Sequence, residues 1–155
     1  MRLMYLKPKL KDLSQGSRIS FIRQFRQLTQ DDLADKLKLN GERKRRTIAR
    51  YESGTRIPKD DRLLEIANIL DVSINSIKEY DFKEPVDIIY ILMWLEELYP
   101  EYQIKLPITY YNDNALLISE FMKEWNEMRL KRTKRKITYE EYIEWKITFP
   151  LKERE

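Results

Sequence analysis

Apolar residues recur at three- and four-residue spacing along most of the chain, a period that predicts helices. Ile19, Ile22 and Phe25, with Arg26 beside them and Ser17 in the N-cap position, predict a first helix. Thr29 and Asp32 form a pair like a capping box and open TQDDLADKLKL, whose Leu33, Ala34 and Leu37 share one face. Asn40 and Gly41 break this second helix. The basic run GERKRR then leads into TIARYESG, where Ile48 and Tyr51 point inward and Gly54 is a C-cap. After Pro58, KDDRLLEIANIL carries Leu63, Leu64, Ile66, Ala67 and Leu70 in helical register, and Asp60 and Asp61 suit its amino-terminal dipole. Ser73 caps a last short helix with Ile74 and Ile77.

The segment EYDFKE, followed by Pro85, is the expected seam, and Pro85 fits the first position of a new helix. In VDIIYILMWLEELY, Ile88, Leu92, Leu95 and Tyr99 form one stripe and Val86, Ile89 and Met93 another, so this helix is expected to be buried broadly. Residues 102–111 (YQIKLPITYY) alternate and are rich in aromatic and β-branched side chains, but Pro107 interrupts them, which predicts two short strands or an irregular hairpin. A helix follows from Asn112 to about Arg129, with Ile118, Phe121, Met122, Trp125 and Met128 on its core side. Thr138 and Glu141 form a second capping box ahead of Tyr142, Ile143 and Trp145. The expected fold class is mainly α. Its divisions are a loose basic arm at 1–15, a helical domain at 16–80, a linker at 81–84 and a small α-rich domain at 85–155.

With 155 residues, 42% hydrophobic and 36% charged, the chain fits one full domain or two small ones. No stretch approaches the roughly 20 consecutive apolar residues of a membrane span, and Met1 to Lys11 lack the apolar core of a secretory signal, so a cytoplasmic protein without a membrane partner is expected. The chain has neither cysteine nor histidine. That removes disulfides, thiolate nucleophiles, Cys-ligated zinc and the commonest general base and metal ligand. Carboxylate, lysine or tyrosine chemistry survives this filter, but no motif points to it, and the expectation is a non-enzyme without cofactor or metal. The cluster Asp31, Asp32 and Asp35 reads as a capping set, and Trp94, Trp125 and Trp145 read as core.

Charge is unevenly spread. Residues 1–83 carry 19 Lys/Arg against 12 Asp/Glu, a balance of +7, while residues 84–155 carry 11 against 14, a balance of −3. A basic amino-terminal half suggests a polyanion partner, because each phosphate neutralised by Lys or Arg releases condensed counterions. A second basic run, RLKRTKRK at 129–136, reads either as another phosphate-contacting patch or, preferably, as a solvated helix end balanced by Glu124, Glu127, Glu140 and Glu141.

The strongest chemical signal lies between residues 29 and 54. Leu33, Leu37, Ile48 and Tyr51 can clamp two helices together, Ala34 lets the next helix cross close by, and the polar side of that helix is left facing outward. A short helix presented this way fits the major groove of duplex DNA, where the arginine fork donates two hydrogen bonds to guanine O6 and N7. Arg45, Arg46 and Arg50 are the candidates. Two starts of this helix are open. Thr47 as N-cap would leave Arg45 and Arg46 in a loop as phosphate clamps, whereas a helix that begins near Arg43 puts Arg46 and Arg50 on one face; base reading by Arg46 and Arg50 is preferred.

Residues 16–80, through TQDDLA, RYESGTRIP and LLEIANILDVS in that order, resemble the lambda-repressor and Cro-like helix-turn-helix regulators, the xenobiotic-response-element family. GERKRR lengthens the turn and is similar to a bacterial subgroup with an extended turn. The resemblance implies a five-helix DNA-binding domain that acts as a homodimer on a double-stranded operator, as a transcriptional regulator and more specifically a repressor. It also implies that Gln30 contacts phosphate at the start of the second helix, with Arg43, Lys44 and Thr47 alongside. Arg45, Arg46 and Arg50 face bases, and Arg23 pairs with Glu52 in a partly buried salt bridge. Residues 85–155 resemble, more loosely, the accessory domain of that subgroup, which dimerises the protein or receives a signal from a protein or small-molecule effector. The alternative function is an antitoxin or mobile-element accessory protein acting mainly through a protein partner.

Overall fold

The computed structural model describes residues 7–101 and 113–149, and of residues 113–119 the backbone alone. The chain divides between Glu79 and Tyr80 into two compact units. Among the described residues there are eight helices and no strand. The strands or hairpin expected at 102–111 lie outside the described residues.

The amino-terminal unit holds α1 (Gln15–Phe25), α2 (Gln30–Lys36), α3 (Lys44–Ser53), α4 (Asp60–Leu70) and α5 (Ile74–Ile77). The expected cap of α1 needs correction. Ser14, not Ser17, is the N-cap, and its Oγ accepts from the Ser17 backbone N–H, so Ser17 falls in the first turn. Ile19, Ile22, Leu33, Ala34, Ile48, Ile66, Leu70 and Ile77 are almost fully buried and form the core between these helices. Leu64, expected in the same register, is 53% exposed. Leu63, Ile66, Ala67 and Leu70 already complete the inward stripe, and Leu64 sits about 100° around the helix from Leu63. Of the stretch read as a basic arm, Pro8 and Leu10 are buried. Arg18, 1% exposed, donates from Nε to the Leu13 carbonyl at 3.0 Å, and from its two terminal nitrogens to the Ser76 and Lys78 carbonyls at 2.9 and 2.8 Å.

Gly16 sits where α1 crosses α3. A Cβ built there would lie 2.4 Å from the Glu52 carbonyl oxygen and 2.5 Å from that of Tyr51, so hydrogen is the only side chain this approach admits.

Several helices end in one kind of turn. After α1, α2 and α4, the residues Gln27, Lys38 and Asp71 adopt φ of 59°, 55° and 52°. At α1 the Gln27 N–H reaches the Gln24 carbonyl and the Leu28 N–H the Arg23 carbonyl, the pairing of a Schellman stop that glycine fits without strain. Gln27→Gly is therefore expected to stabilise the protein by about 1 kcal/mol, read as a higher urea midpoint at unchanged slope. An unchanged or lower midpoint would show that the left-handed residue carries no cost.

The carboxyl-terminal unit holds α6 (Pro85–Leu98), α7 (Asp113–Thr133) and α8 (Tyr139–Thr148), with α6 packed on α7 and α7 on α8. Pro85 occupies the first turn of α6, and buried Asp87 accepts from the backbone N–H groups of Asp81 and Phe82, fastening the seam to the helix start. The expectation of broad burial fails for one stripe. Ile89, Tyr90, Met93 and Trp94 are buried, but Ile88 and Tyr99 are 40% and 45% exposed and Leu92 and Leu95 half-buried. Helix α7 runs to Thr133, past the expected end near Arg129, because RLKRT contains neither Gly nor Pro to stop it. Phe121, Trp125, Trp145 and Phe149 form an aromatic core with ring centroids 5.2 to 6.4 Å apart, and the Trp125 indole N–H donates to the Tyr142 hydroxyl at 2.9 Å. The gap lined by Tyr90, Met93, Trp94, Ile143 and Lys146 measures about 10 Å³, far below a ligand-sized pocket.

Candidate nucleic-acid interface

The expected capping box opens α2: Thr29 Oγ1 accepts from the Asp32 N–H at 3.0 Å, and an Asp32 carboxylate oxygen accepts from the Thr29 N–H at 2.7 Å. These bonds hold the Asp32 carboxyl below its ordinary pKa. Leu37 closes α2, so the helix ends before Asn40, and Lys38 and Gly41 take left-handed φ in the turn that follows. Helix α3 starts at Lys44, with Arg43 as N-cap residue. Of the two starts open in the sequence this is the earlier one. Arg45 and Arg46 are helical, and Thr47 lies inside the first turns instead of capping them.

Helix α3 is anchored from below. Ile48 is fully buried and Tyr51 6% exposed, α3 packs on both α1 and α2, and Gly54 ends it with φ of 78°. Arg43, Arg45, Arg46 and Arg50 are exposed, with Arg46 and Arg50 one turn apart on the same face. No acid lies in the first turn of α3 and no side chain caps it. Lys44, Arg45 and Arg46 thus stand at the positive end of the helix dipole, an arrangement that works against helix stability. Thr47 is half-buried.

A polar chain runs beneath this face. Arg23 and Glu52, with side chains 10% and 9% exposed, meet at 2.5 Å (Nε to Oε1) and 3.1 Å (Nη2 to Oε2), and Arg23 also donates to the Leu28 carbonyl at 2.6 Å. Gln30 donates from Nε2 to Glu52 at 2.9 Å and accepts at Oε1 from Arg45 Nε at 3.2 Å. Gln30, singled out for a phosphate contact, is thereby engaged between Glu52 and Arg45. Its bond uses only Arg45 Nε and directs no claim on the terminal guanidinium nitrogens. Lys44, also singled out for phosphate, pairs with Asp35 of α2, and that pairing raises its pKa. Sequence reasoning missed the link of Gln30 to Arg45 and Glu52, since its partners lie 15 and 22 positions away.

Beside the end of α3, Tyr51, Arg56, Ile57, Lys59 and Arg62 line an open polar groove, with the Arg56 guanidinium 5.8 Å from the Tyr51 ring centroid. Among the described residues no cluster of carboxylates could hold a metal, and no helix is long and apolar enough to cross a membrane.

Residues 16–79 match the family described as a helix-turn-helix domain. No curated protein and no solved structure matches the chain.

Proposed function

We propose that the chain, whose residues 16–79 match a helix-turn-helix domain, is a sequence-specific transcriptional regulator that lays α3 in the major groove of an operator. The observation that carries this reading is the exposed guanidinium face of α3, which begins with Arg45 and Arg46 at the positive end of the helix dipole, continues to Arg50 and is held by a buried base. Positive charge placed there costs stability in the free protein and is offset when phosphates approach. Arg46 and Arg50 read bases, and Arg45, oriented through Nε by Gln30, turns its terminal nitrogens to the same groove. Arg43 and Thr47 contact phosphate. Gln30 and Lys44 act first as positioning residues, because their side chains are already engaged within the domain.

The finer assignment follows the likeness to the lambda-repressor and Cro-like family: a five-helix domain, a homodimer, and repression as the mode of action in the cytoplasm. Pairing of two copies through the carboxyl-terminal unit is supported by the outward stripe of Ile88, Leu92, Leu95 and Tyr99. No catalytic step or cofactor is part of the proposal.

Selection of bound sequences from a random duplex pool at physiological salt tests it. An enriched palindrome with half-sites about one helical turn apart is the expected result. Unenriched DNA, lost as salt rises, would overturn sequence-specific reading and favour action through a protein partner. On the enriched site, Arg50→Ala is expected to cost about 1–3 kcal/mol and to relax one position, whereas Arg43→Ala weakens all DNA alike and lowers the salt slope by about one. Equal losses for both variants on cognate and random DNA would refute the division into readers and clamps.

A further inference from the structure

The second basic run lies in the unit whose overall charge is negative. Of the 11 Lys/Arg at 84–155, six fall within residues 129–136. The structure divides these six. Arg129 is spent inside the unit: its Nε donates to Glu96 at 3.1 Å, and its guanidinium lies 3.9 Å from the Trp125 ring centroid. Lys131, Lys134, Arg135 and Lys136 are exposed and Arg132 half-buried, and among the described residues none of the five has an ion pair.

Among the described residues none of the four acids expected to balance them in a solvated helix end forms an ion pair with them, and two of the four are held by other hydrogen bonds. Glu124 accepts from the Trp145 indole N–H at 2.7 Å. Glu141 accepts from the Thr138 backbone N–H at 2.7 Å in its capping box. Glu96 accepts from Tyr142 at 2.5 Å as well as from Arg129, and Glu97 from Tyr139 at 2.6 Å. Glu124 and Glu141 keep their charge but are turned to the Trp145 and Thr138 N–H groups and not to the cations of the run. The negative end of the α7 dipole accommodates Lys131 and Arg132, but its effect fades within the last turn and does not account for Lys134 to Lys136 beyond it. The turn there is a Schellman stop, with the Lys136 N–H on the Lys131 carbonyl at 2.8 Å and the Arg135 N–H on that of Arg132 at 3.1 Å. It folds the last three cations back beside the helix end, concentrating the charge.

We propose that Lys131, Arg132, Lys134, Arg135 and Lys136 form a second duplex-DNA surface, which clamps backbone phosphates without reading sequence. This rests on the DNA-binding reading of the amino-terminal unit, and the two act on one chain. Once α3 is docked, the cluster meets neighbouring phosphates at the high effective concentration that tethering supplies. Its contribution is to affinity and salt dependence, leaving sequence choice to α3.

The test uses the full chain and a fluorescent 40-base-pair duplex of mixed sequence, titrated from low to high potassium chloride. The variant combines Lys131→Ala, Lys134→Ala, Arg135→Gly and Lys136→Ala; the glycine suits the turn, and circular dichroism confirms retained helix content. Each lost phosphate contact should lower the slope of log affinity against log salt by about 0.9, so a fall of about 2 to 4 is expected, with affinity at moderate salt weakened about tenfold or more. The motif enriched from the random pool should stay the same. If the variant keeps the wild-type slope and affinity while Arg43→Ala lowers both, the DNA reading stands and the second surface is refuted. If wild-type protein does not bind the duplex, the DNA reading fails and this one with it. Unchanged DNA binding together with lost binding to phosphatidylserine vesicles would refute it in favour of a membrane surface.

Discussion

Gly16→Ala is expected to destabilise the protein by about 3 kcal/mol or more, and to abolish DNA binding with it. In an ordinary helix the same change stabilises by roughly 0.5–1 kcal/mol, since alanine restricts the unfolded chain and glycine does not. Gly16 has no left-handed φ that would explain its presence. The sign is reversed by space alone. The added methyl would lie 2.4 Å from one backbone oxygen and 2.5 Å from another, and both belong to the end of α3. Neither oxygen can swing aside as a side chain could, so α1 and α3 must separate, and the buried residues between them lose contact. Gly54→Ala is the control: φ there is 78° with open space around it, so the cost should be limited to about 1 kcal/mol of backbone strain. Urea unfolding of both variants decides the matter. A Gly16→Ala midpoint equal to or above wild type would show that the two helices do not approach this closely.

Glu52→Ala is expected to cost about 3–5 kcal/mol, because it leaves the Arg23 guanidinium buried with only the Leu28 carbonyl as a partner. Replacing both members by apolar residues, Arg23→Met with Glu52→Leu, should recover most of that loss, since the expense lies in the stranded charge more than in the missing attraction. The recovered protein should nevertheless bind DNA less well. Glu52 also accepts from Gln30, which in turn orients Arg45, and the double variant removes the foot of that chain. A single variant that loses less than about 1 kcal/mol would mean that Arg23 finds water without disturbing the fold.

Local signals in the sequence carried the elements well. Both capping boxes, Thr29 with Asp32 and Thr138 with Glu141, are written in four consecutive positions and form as expected. The left-handed stop at Gly54 is of the same kind. Errors arose where two residues of equal local merit compete. Ser14 and Ser17 both suit an N-cap, and the choice falls to Ser14 because Gln15 and Gly16 can enter the helix against α3. Leu64 is as apolar as Leu63, and only the position of the core separates them. The reach of α7 to Thr133 has a related cause: a run of charge reads as an end, although lysine and arginine are good helix formers.

At the site, the exposed arginines and the Arg23 and Glu52 pair were legible from spacing and family likeness. The engagement of Gln30 and Lys44 was not. Both depend on the exact angle between α2 and α3, which no periodicity encodes. The division of the second basic run was likewise out of reach, because it depends on which carboxylates the aromatic core of the carboxyl-terminal unit has already claimed.

The guanidinium of Arg18 joins the approach to α1 to the exit from α5, binding Leu13 and, some sixty positions later, Ser76 and Lys78. The start of α1 and the end of α5 therefore lie side by side. A module with adjacent doors can be carried on any host whose surface offers a single attachment point, and a host loop can open to receive it without being stretched. The same proximity lets a short linker close the unit into a ring of permuted order. Evolution or design could thus move this helical module among unrelated companions with few changes at its borders.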